Sequence, residues 1–213
     1  HTPTAFAGSS AVVATLAGRI WVGKETERRI VSGFPARLRR GETVREAGLL
    51  ARAQGCLLGQ VAGDSLGSLV EFQTASAIAR HYPEGPRRLA DGGTFDTLAG
   101  QPTDDSELAL ALARSVVASG AYSDGEALVA YRRWLASSPF DVGNTIRAGL
   151  SSRPNPESQA NGSLMRASPL GIFAHARGPL EAAALAGQDS DLTHPHPVCR
   201  DSTSAFVVAV AHA

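Results

Sequence analysis

Apolar side chains recur every three to four residues in three stretches of the chain, which predicts three amphipathic helices. The three stripes are Leu50, Ala53, Leu57 and Val61; Leu108, Ala111, Leu112, Ser115 and Val116; and Ala127, Tyr131, Trp134 and Leu135. Ser123-Asp-Gly-Glu126 precedes the third stripe with the spacing of a capping box, so we expect that helix to begin there.

Two further helices are predicted towards the end of the chain. Pro179 favours a helix start, and the Ala-rich stretch behind it ends near Gly187. Another apolar run extends from about Arg200 to Ala213. The alternation of β-branched residues that is typical of strands is almost absent, and no internal repeat is visible. The pattern therefore predicts an all-α bundle of closely packed helices.

Composition and charge exclude several classes of protein. A length of 213 residues with 43% apolar and 19% charged residues is typical of one soluble domain. Lys plus Arg equals Asp plus Glu at 20 each, so no overall charge favours nucleic acid as a partner. No apolar run approaches the ~20 residues that span a bilayer, so no membrane partner is expected. The run from Ala11 to Ala17 lacks the flanks of a secretory leader.

Residues 1–45 differ from the rest and are predicted to form a basic N-terminal extension. Between Arg19 and Arg45 there are eight basic residues against three acidic ones. This segment is either a solvated basic face or a surface for a protein partner or an anionic substrate. Cys56 and Cys199 lack the spacing of a zinc site or a disulfide framework, which favours a cytoplasmic location.

The most unusual polar stretch is Gln101-Pro-Thr-Asp-Asp-Ser-Glu107, at the start of the second apolar stripe. Asp104 followed by Glu107 fits an acidic variant of the capping box, and both acids would offset the helix dipole. Alternatively, Thr103, Asp104 and Asp105 would hold Mg²⁺, because adjacent carboxylates repel each other unless a cation lies between them. The residue types alone leave both interpretations open.

Two other acids precede that stretch. Gly63-Asp-Ser-Leu-Gly67 is interpreted as a corner that interrupts an apolar helix, with Asp64 as a cap or as a catalytic group. Glu71 follows Leu69 and Val70, and apolar neighbours favour a carboxylate that exchanges a proton or closes over a site. An exposed helical acid is the equally simple alternative for Glu71.

Small residues and histidines mark three more loops. Gly143 with Asn144, and Gly162 with Ser163, offer free backbone N–H groups that suit a phosphate, although each pair is also common in ordinary turns. His194 would either bind a metal or stack on a sugar or a base, or it would have neither of these roles.

Taken together and in order, four stretches resemble the ADP-ribosylglycohydrolase family. They are residues 55–67, Gly100-Gln-Pro-Thr-Asp-Asp-Ser-Glu-Leu-Ala-Leu110, Phe140-Asp-Val-Gly-Asn-Thr145 and residues 161–171. The resemblance covers about Ala51 to Ala213 and implies an all-α, orthogonal multi-helix bundle. Residues 46–213 would then be the N-terminal part of an ADP-ribosylglycohydrolase domain.

The resemblance also implies roles for the candidate residues. It implies two Mg²⁺ ions, with catalysis by Asp104, Asp105 and the acid Glu71. The remaining implied roles are metal binding for Thr103, Asp104 and Asp105, and ADP-ribose binding for Gly143, Asn144, Gly162, Ser163 and His194. The implied reaction is hydrolysis of the N- or O-glycosidic bond between ADP-ribose and a modified protein side chain, with arginine as the expected side chain.

One departure from the family keeps rival functions open. The family's second acidic metal-binding segment is not found, and Asp189-Ser-Asp191 has the spacing but lies too early in the order. We therefore expect either that the chain continues beyond Ala213 or that the protein lacks a full site. The alternatives are an impaired ADP-ribose-binding or toxin-immunity protein that blocks a partner through residues 1–45, and a plain helical interaction domain.

Overall fold

The computed structural model describes residues 46–213, so the predicted basic extension 1–45 lies outside the described residues. Within 46–213 the chain forms α-helices and no strand beyond a single bridge between Gly92 and Thr97. The helices are α1 (Ala47–Gly67), α2 (Ala75–His81), α3 (Asp104–Ser119), α4 (Asp124–Ala136), α5 (Asn144–Leu150), α6 (Ser168–Phe173), α7 (Pro179–Asp191) and α8 (Pro197–Ala211), with a 3₁₀ turn at Asn161–Ser163. The all-α prediction is confirmed.

Two of the three predicted stripes lie in the core. Leu108 and Leu112 of α3 are fully buried, and so are Ala127 and Tyr131 of α4. The stripe of α1 differs, because its Leu50 is 39% exposed and its other members are only partly buried. Helix α1 therefore covers the edge of the core.

The centre of the core is built from the C-terminal half of the described chain. Ala182 and Ala186 are one turn apart on α7 and completely buried, and their small side chains allow α8 to approach closely. Val207 of α8, Leu170 of α6 and Ile146 of α5 fill the same cluster. Among the helices of the described residues, none is long and apolar enough to cross a membrane.

Several helix boundaries differ from the predicted ones. Helix α1 is not interrupted at Gly63 but continues to Gly67, so the predicted corner is wrong. Helix α7 extends to Asp191, and α8 begins at Pro197, where the missing N–H of proline costs the first helical turn nothing. The uninterrupted α1 matters most, because it places Asp64 inside a helix that reaches the start of α3.

Candidate active site

The N-terminus of α3 is capped by a carboxylate that belongs to α1. The hydroxyls of Thr103 and Ser106 donate to Asp64 at 2.7 and 2.6 Å, and the backbone N–H groups of the same two residues donate to it at 3.0 and 3.1 Å. These bonds satisfy N–H groups that have no partner within the helix. The predicted capping role of Asp104 is therefore wrong, because Asp104 lies in the first turn and Thr103 is the N-cap residue.

Glu107 does not complete a capping box either. Its carboxylate accepts a hydrogen bond of 2.6 Å from the indole Nε1 of Trp134 on α4. The two acids at the mouth of α3, Asp104 and Asp105, are thus left without a part in the cap.

A glutamine of α1 holds the first turn of α3 against the segment that precedes α6. The Nε2 group of Gln60 donates to the carbonyl of Asp105 at 3.1 Å and to that of Met165 at 2.8 Å. The hydroxyl of Ser168 donates to the Oε1 atom of the same Gln60. The first turn of α3 is therefore fixed from two sides, which holds Asp104 and Asp105 in place.

Five carboxylates lie close enough to influence one another, and we call them the acidic cluster: Asp64, Glu71, Asp104, Asp105 and Asp141. Asp104 is only 7% exposed. Burial, followed by the charge of Asp141, raises the pKa of Asp104 to about 7, although an N–H bond from Gly143 at 3.3 Å opposes this. Burial and then the charge of Asp64 raise the pKa of Asp105 to about 6.

Glu71 joins the cluster from the segment that follows α1. Burial raises the pKa of Glu71, and the charges of Asp141, Asp105 and Asp64 raise it further. Gly93 braces this segment: its φ is +76°, and a Cβ there would lie 2.4 Å from the carbonyl oxygen of Ser68. The hydroxyl of Thr94 donates to the carbonyl of Glu71. Glycine is therefore required where the two loops touch.

The donor types of the cluster fit a hard divalent cation, because carboxylate and hydroxyl oxygens are the ligands that Mg²⁺ prefers. In the part of the chain that the structure describes, no lysine, arginine or histidine contributes to the raised pKa values of Glu71, Asp104 or Asp141. Within residues 46–213, however, no three Asp, Glu, His or Cys side chains already converge as a metal shell. Water or further ligands would have to complete the roughly six positions of Mg²⁺.

The structure places the predicted loop glycines on the two sides of one apolar side chain. Gly143 is exposed next to Asp104 and precedes Asn144, the exposed first residue of α5. A Cβ at Gly143 would lie 3.8 Å from the Cδ1 atom of Ile146, and a Cβ at Gly162 would lie 2.9 Å from the same atom. Gly143 and Asn144 therefore border the acidic cluster, whereas Gly162 lies behind Ile146.

Ser163 and His194 are in the interior. The hydroxyl of Ser163 forms hydrogen bonds with Thr203 at 3.1 Å and Ser190 at 3.0 Å, and both partners are buried. A Cβ at Gly162 would lie 2.7 Å from the imidazole of His194, so glycine is needed for the ring to fit. Because Ser163 and His194 are both buried, neither presents an exposed surface to a ligand, and their ligand-binding roles remain predictions.

The protonation of His194 follows from its neighbours. Arg166 donates to the hydroxyl of Thr193 at 2.9 Å, and that hydroxyl forms a hydrogen bond of 2.7 Å with Nδ1 of His194 in which either atom can be the donor. Burial and then Arg166 lower the pKa of His194 to about 4, so the ring is neutral near pH 7. Among the described residues its Nε2 atom has no hydrogen-bond partner. His194 is therefore a buried, uncharged side chain.

Asp189 forms a buried ion pair with Arg166. Its Oδ2 atom accepts a bond of 2.8 Å from Nε of Arg166, and both side chains are completely buried. The hydroxyl of Tyr131 donates to the other carboxylate oxygen at 2.8 Å, and the guanidinium lies 4.3 Å from the centre of the Tyr131 ring. Asp189 therefore has a structural partner and is not a free metal ligand.

For two members of the acidic cluster the sequence does not predict the part that the structure shows. Asp141 lies in the quoted stretch Phe140–Thr145, but no role was inferred for it. The charge of Asp141 raises the pKa of Asp104 from more than thirty positions away along the chain, which a local pattern does not reveal. Asp64 was considered only as a cap for its own corner or as a catalytic group, whereas it caps α3.

The chain is similar to one protein family and to several known proteins. A family profile described as ADP-ribosylglycohydrolase matches residues 45–213. The chain is 39% identical over 158 residues to an ADP-ribosyl-dinitrogen reductase glycohydrolase of Rhodospirillum rubrum, which covers 69% of this chain and 52% of that protein. It is 32% identical to an ADP-ribosylarginine hydrolase of Pseudomonas putida (strain GB-1), over 58% of this chain and 36% of that protein.

A solved structure supports the same grouping. The chain is similar to a protein described as an ADP-ribosylglycohydrolase-related protein complex, with a TM-score of 0.64 and 26% identity. That alignment covers 75% of this chain and 54% of the other. The chain thus spans about half the length, or less, of the relatives it matches.

Proposed function

The chain belongs to the ADP-ribosylglycohydrolase family, and from this premise we propose that its protein hydrolyses the bond between ADP-ribose and a modified protein side chain. The observation that carries the proposal is that the helix cap of α3 uses Asp64 and not the two acids of its own first turn. Asp64 already caps the helix, so the cap does not explain why Asp104 is buried, why Asp105 is half-buried, or why the pKa values of both are raised. Such a costly arrangement is typical of a site that holds a cation.

We further propose that arginine is the modified side chain and that the cytoplasm is the location. A relative from Pseudomonas putida carries the name ADP-ribosylarginine hydrolase, which supports the first point. Cys56 and Cys199 are both free, which agrees with a reducing compartment. The direct partner would be an ADP-ribosylated protein or ADP-ribose.

Mg²⁺ is the proposed cofactor, with two ions expected from the family resemblance. Thr103, Asp104 and Asp105 would supply oxygen ligands from the first turn of α3. When bound, the ions would polarise the ribose hydroxyls and stabilise the charge that develops as the glycosidic bond breaks. Asp104 and Asp105 must lose their protons to bind a metal. Because the pKa of Asp104 is raised to about 7, metal binding should be stronger above this pH.

Glu71 is the proposed group for proton transfer. Its raised pKa increases the fraction that holds a proton near neutral pH, as a general acid requires. Glu71 lies on a braced loop at the edge of the cluster, where it can face a ligand without contributing to the helix cap. Gly143 and Asn144, exposed beside Asp104, are the proposed contacts for ADP-ribose.

The direct test is release of ADP-ribose from an ADP-ribosylated arginine compound, measured with Mg²⁺ and with EDTA. Because the chain spans about half of its relatives, the assay uses the chain as printed and any longer reading frame that contains it. We expect Mg²⁺-dependent release that the Glu71→Gln variant loses. Release that is equally fast in EDTA would contradict the cofactor, and absence of release from every form would contradict the enzyme.

A second candidate is an ADP-ribose-binding protein without turnover. It is favoured by the absence of three converging acidic or histidine ligands within residues 46–213. Such a protein could act as an immunity protein that blocks a partner. Calorimetry distinguishes the cases: an enzyme binds ADP-ribose more tightly with Mg²⁺, a binding module binds it equally with and without the ion, and a plain interaction domain does not bind it.

The stability of the metal-free protein should depend on pH in a specific direction. The pKa values of Asp104 and Asp105, about 7 and about 6, are above the ordinary carboxyl value of ~3.9. Between pH ~4 and ~7 these two carboxyls therefore bind more protons in the folded state than in the unfolded state, and their contribution to the free energy of unfolding falls as the pH rises. The pKa of His194, lowered to about 4, acts in the opposite direction below pH ~6.5, so the net fall is steepest between pH ~6 and ~7. We expect the thermal midpoint to fall by on the order of 5 °C across this window.

Added Mg²⁺ should reverse this trend, because the ion competes with protons for the same carboxylates. The stabilisation by Mg²⁺ should be larger at pH 8 than at pH 5, as measured by calorimetric scans at both values. The Glu157→Gln variant, which removes an exposed carboxylate from a loop, serves as the control and should leave both effects unchanged. A midpoint that rises with pH in the absence of metal would contradict the proposed cluster.

The ligand role of Gly143 can be tested without disturbing the fold. Its φ of −58° suits any residue, and a Cβ there would have no neighbour closer than 3.8 Å. We expect Gly143→Val to lower the thermal midpoint only as much as the same change at another N-cap glycine, and to reduce the shift that ADP-ribose causes, because the side chain would occupy the exposed space beside Asp104. Gly162 is unsuitable for this test, because a Cβ there would collide with His194.

Gly178 provides the matched control for this experiment. It is the N-cap residue of α7 with a φ of −66° and open space around the Cβ position. Gly178→Val should retain the full shift with ADP-ribose. An undiminished shift in Gly143→Val would remove Gly143 from the ligand site.

A further inference from the structure

Three phenylalanines lie side by side at the edge of the acidic cluster, and we call them the aromatic rim: Phe72 and Phe140, which are exposed, and Phe95, which is half-buried between them. The rings of Phe72 and Phe95 are 6.2 Å apart, and those of Phe95 and Phe140 are 5.6 Å apart, in edge-to-face geometry. Phe72 is nevertheless 79% exposed and Phe140 46% exposed. Large apolar side chains at such exposure contribute little to folding and mark a surface that binds something.

Each end of the rim lies next to a carboxylic acid residue in the chain. Phe72 directly follows Glu71, and Phe140 directly precedes Asp141. The charges of Glu71 and Asp141 are close enough to affect each other, so the two loops meet at the cluster. The surface therefore combines aromatic faces with two neighbouring carboxyl groups.

This combination suits a planar cation. A guanidinium stacks on aromatic rings and donates paired hydrogen bonds to carboxylates, whereas a diphosphate would be repelled by the same acids. We propose that the aromatic rim binds the side chain that carries ADP-ribose and selects the guanidinium of arginine over a neutral hydroxyl side chain. The inference rests on the proposed function and specifies which part of the substrate the rim contacts.

The test compares two linkages on one protein. Two peptides of the same sequence carry ADP-ribose on arginine or on serine, and their dissociation constants are measured by calorimetry in EDTA so that the bond stays intact. ADP-ribose alone is the third probe. We expect the Phe72→Leu variant to bind the arginine conjugate about fivefold more weakly, the size of an exposed cation–π contact, and to bind the other two probes as before.

Phe206→Leu is the matched control, since it makes the same substitution at a 38% exposed phenylalanine on α8. It should leave all three affinities unchanged. An equal loss for both conjugates in Phe72→Leu, or a loss for ADP-ribose alone, would assign the rim to the adenosine part and overturn this inference while the proposed function stands. Failure of the unaltered chain to bind either conjugate would overturn both.

Discussion

Replacing Asp189 by asparagine should lower the free energy of unfolding by about 3 to 5 kcal/mol, which is the range found when one partner of a buried ion pair is removed. Arg166 would keep its charge although it is completely buried, because a guanidinium does not lose its proton under ordinary conditions. The substitution keeps the size of the side chain, so the loss would measure the uncompensated charge. In the variant, the hydroxyl of Tyr131 would also face a neutral amide where it now donates a hydrogen bond to a carboxylate.

Two residues further along α7, Asp191 provides the matched control. It forms an ion pair of 3.3 Å with Arg200, but the two side chains are 40% and 52% exposed. Solvent screens such a pair, so Asp191→Asn should cost less than about 1 kcal/mol. Chemical denaturation of both variants measures the difference. Equal, small losses would show that the interior around Arg166 admits water and that the buried pair is not a central element of the fold.

The comparison of these two acids shows what a local sequence pattern can and cannot predict. The pattern predicts α3 and α4 well, because each presents more than three turns of regular apolar spacing. It cannot distinguish Asp189 from Asp191, since the difference between them is an arginine 23 positions away. Helices α2 and α5, with seven residues each, are also missed, because two turns contain too few apolar positions to define a period.

For the candidate site, too, the sequence predicts what is local in the chain and misses what depends on distant residues. The paired acids Asp104 and Asp105 are conspicuous in the sequence, and the structure brings Glu71 and Gly143 close to them, whereas the roles that the resemblance implies stay predictions. The residue that decides their interpretation is Asp64, whose bonds to Thr103 and Ser106 span about forty positions. Capping was thus a correct expectation for this helix but was assigned to the wrong acid.

Neighbouring acids of the cluster should respond in opposite ways to the same substitution. We expect Asp105→Asn to leave the metal-free protein as stable as before or slightly more stable, because it removes one of several repelling charges from a buried position. Loss of a direct ligand should lower Mg²⁺ affinity and any Mg²⁺-dependent turnover by on the order of 100-fold or more, since even changes to groups behind metal ligands cost 10- to 100-fold. Calorimetry with Mg²⁺ and thermal scans with and without the ion measure both effects.

Asp64→Asn is the contrasting variant, and its outcome separates a cap from a ligand. Four donors from Thr103 and Ser106 converge on the Asp64 carboxylate, and an amide can accept from them with only one oxygen. The metal-free protein should therefore lose about 1 to 3 kcal/mol of stability, as a helix does when its cap is removed and a donor stays unpaired. If Asp105→Asn instead destabilises the metal-free protein to this extent and leaves Mg²⁺ affinity unchanged, Asp105 has a structural role and the proposed metal site at α3 is wrong.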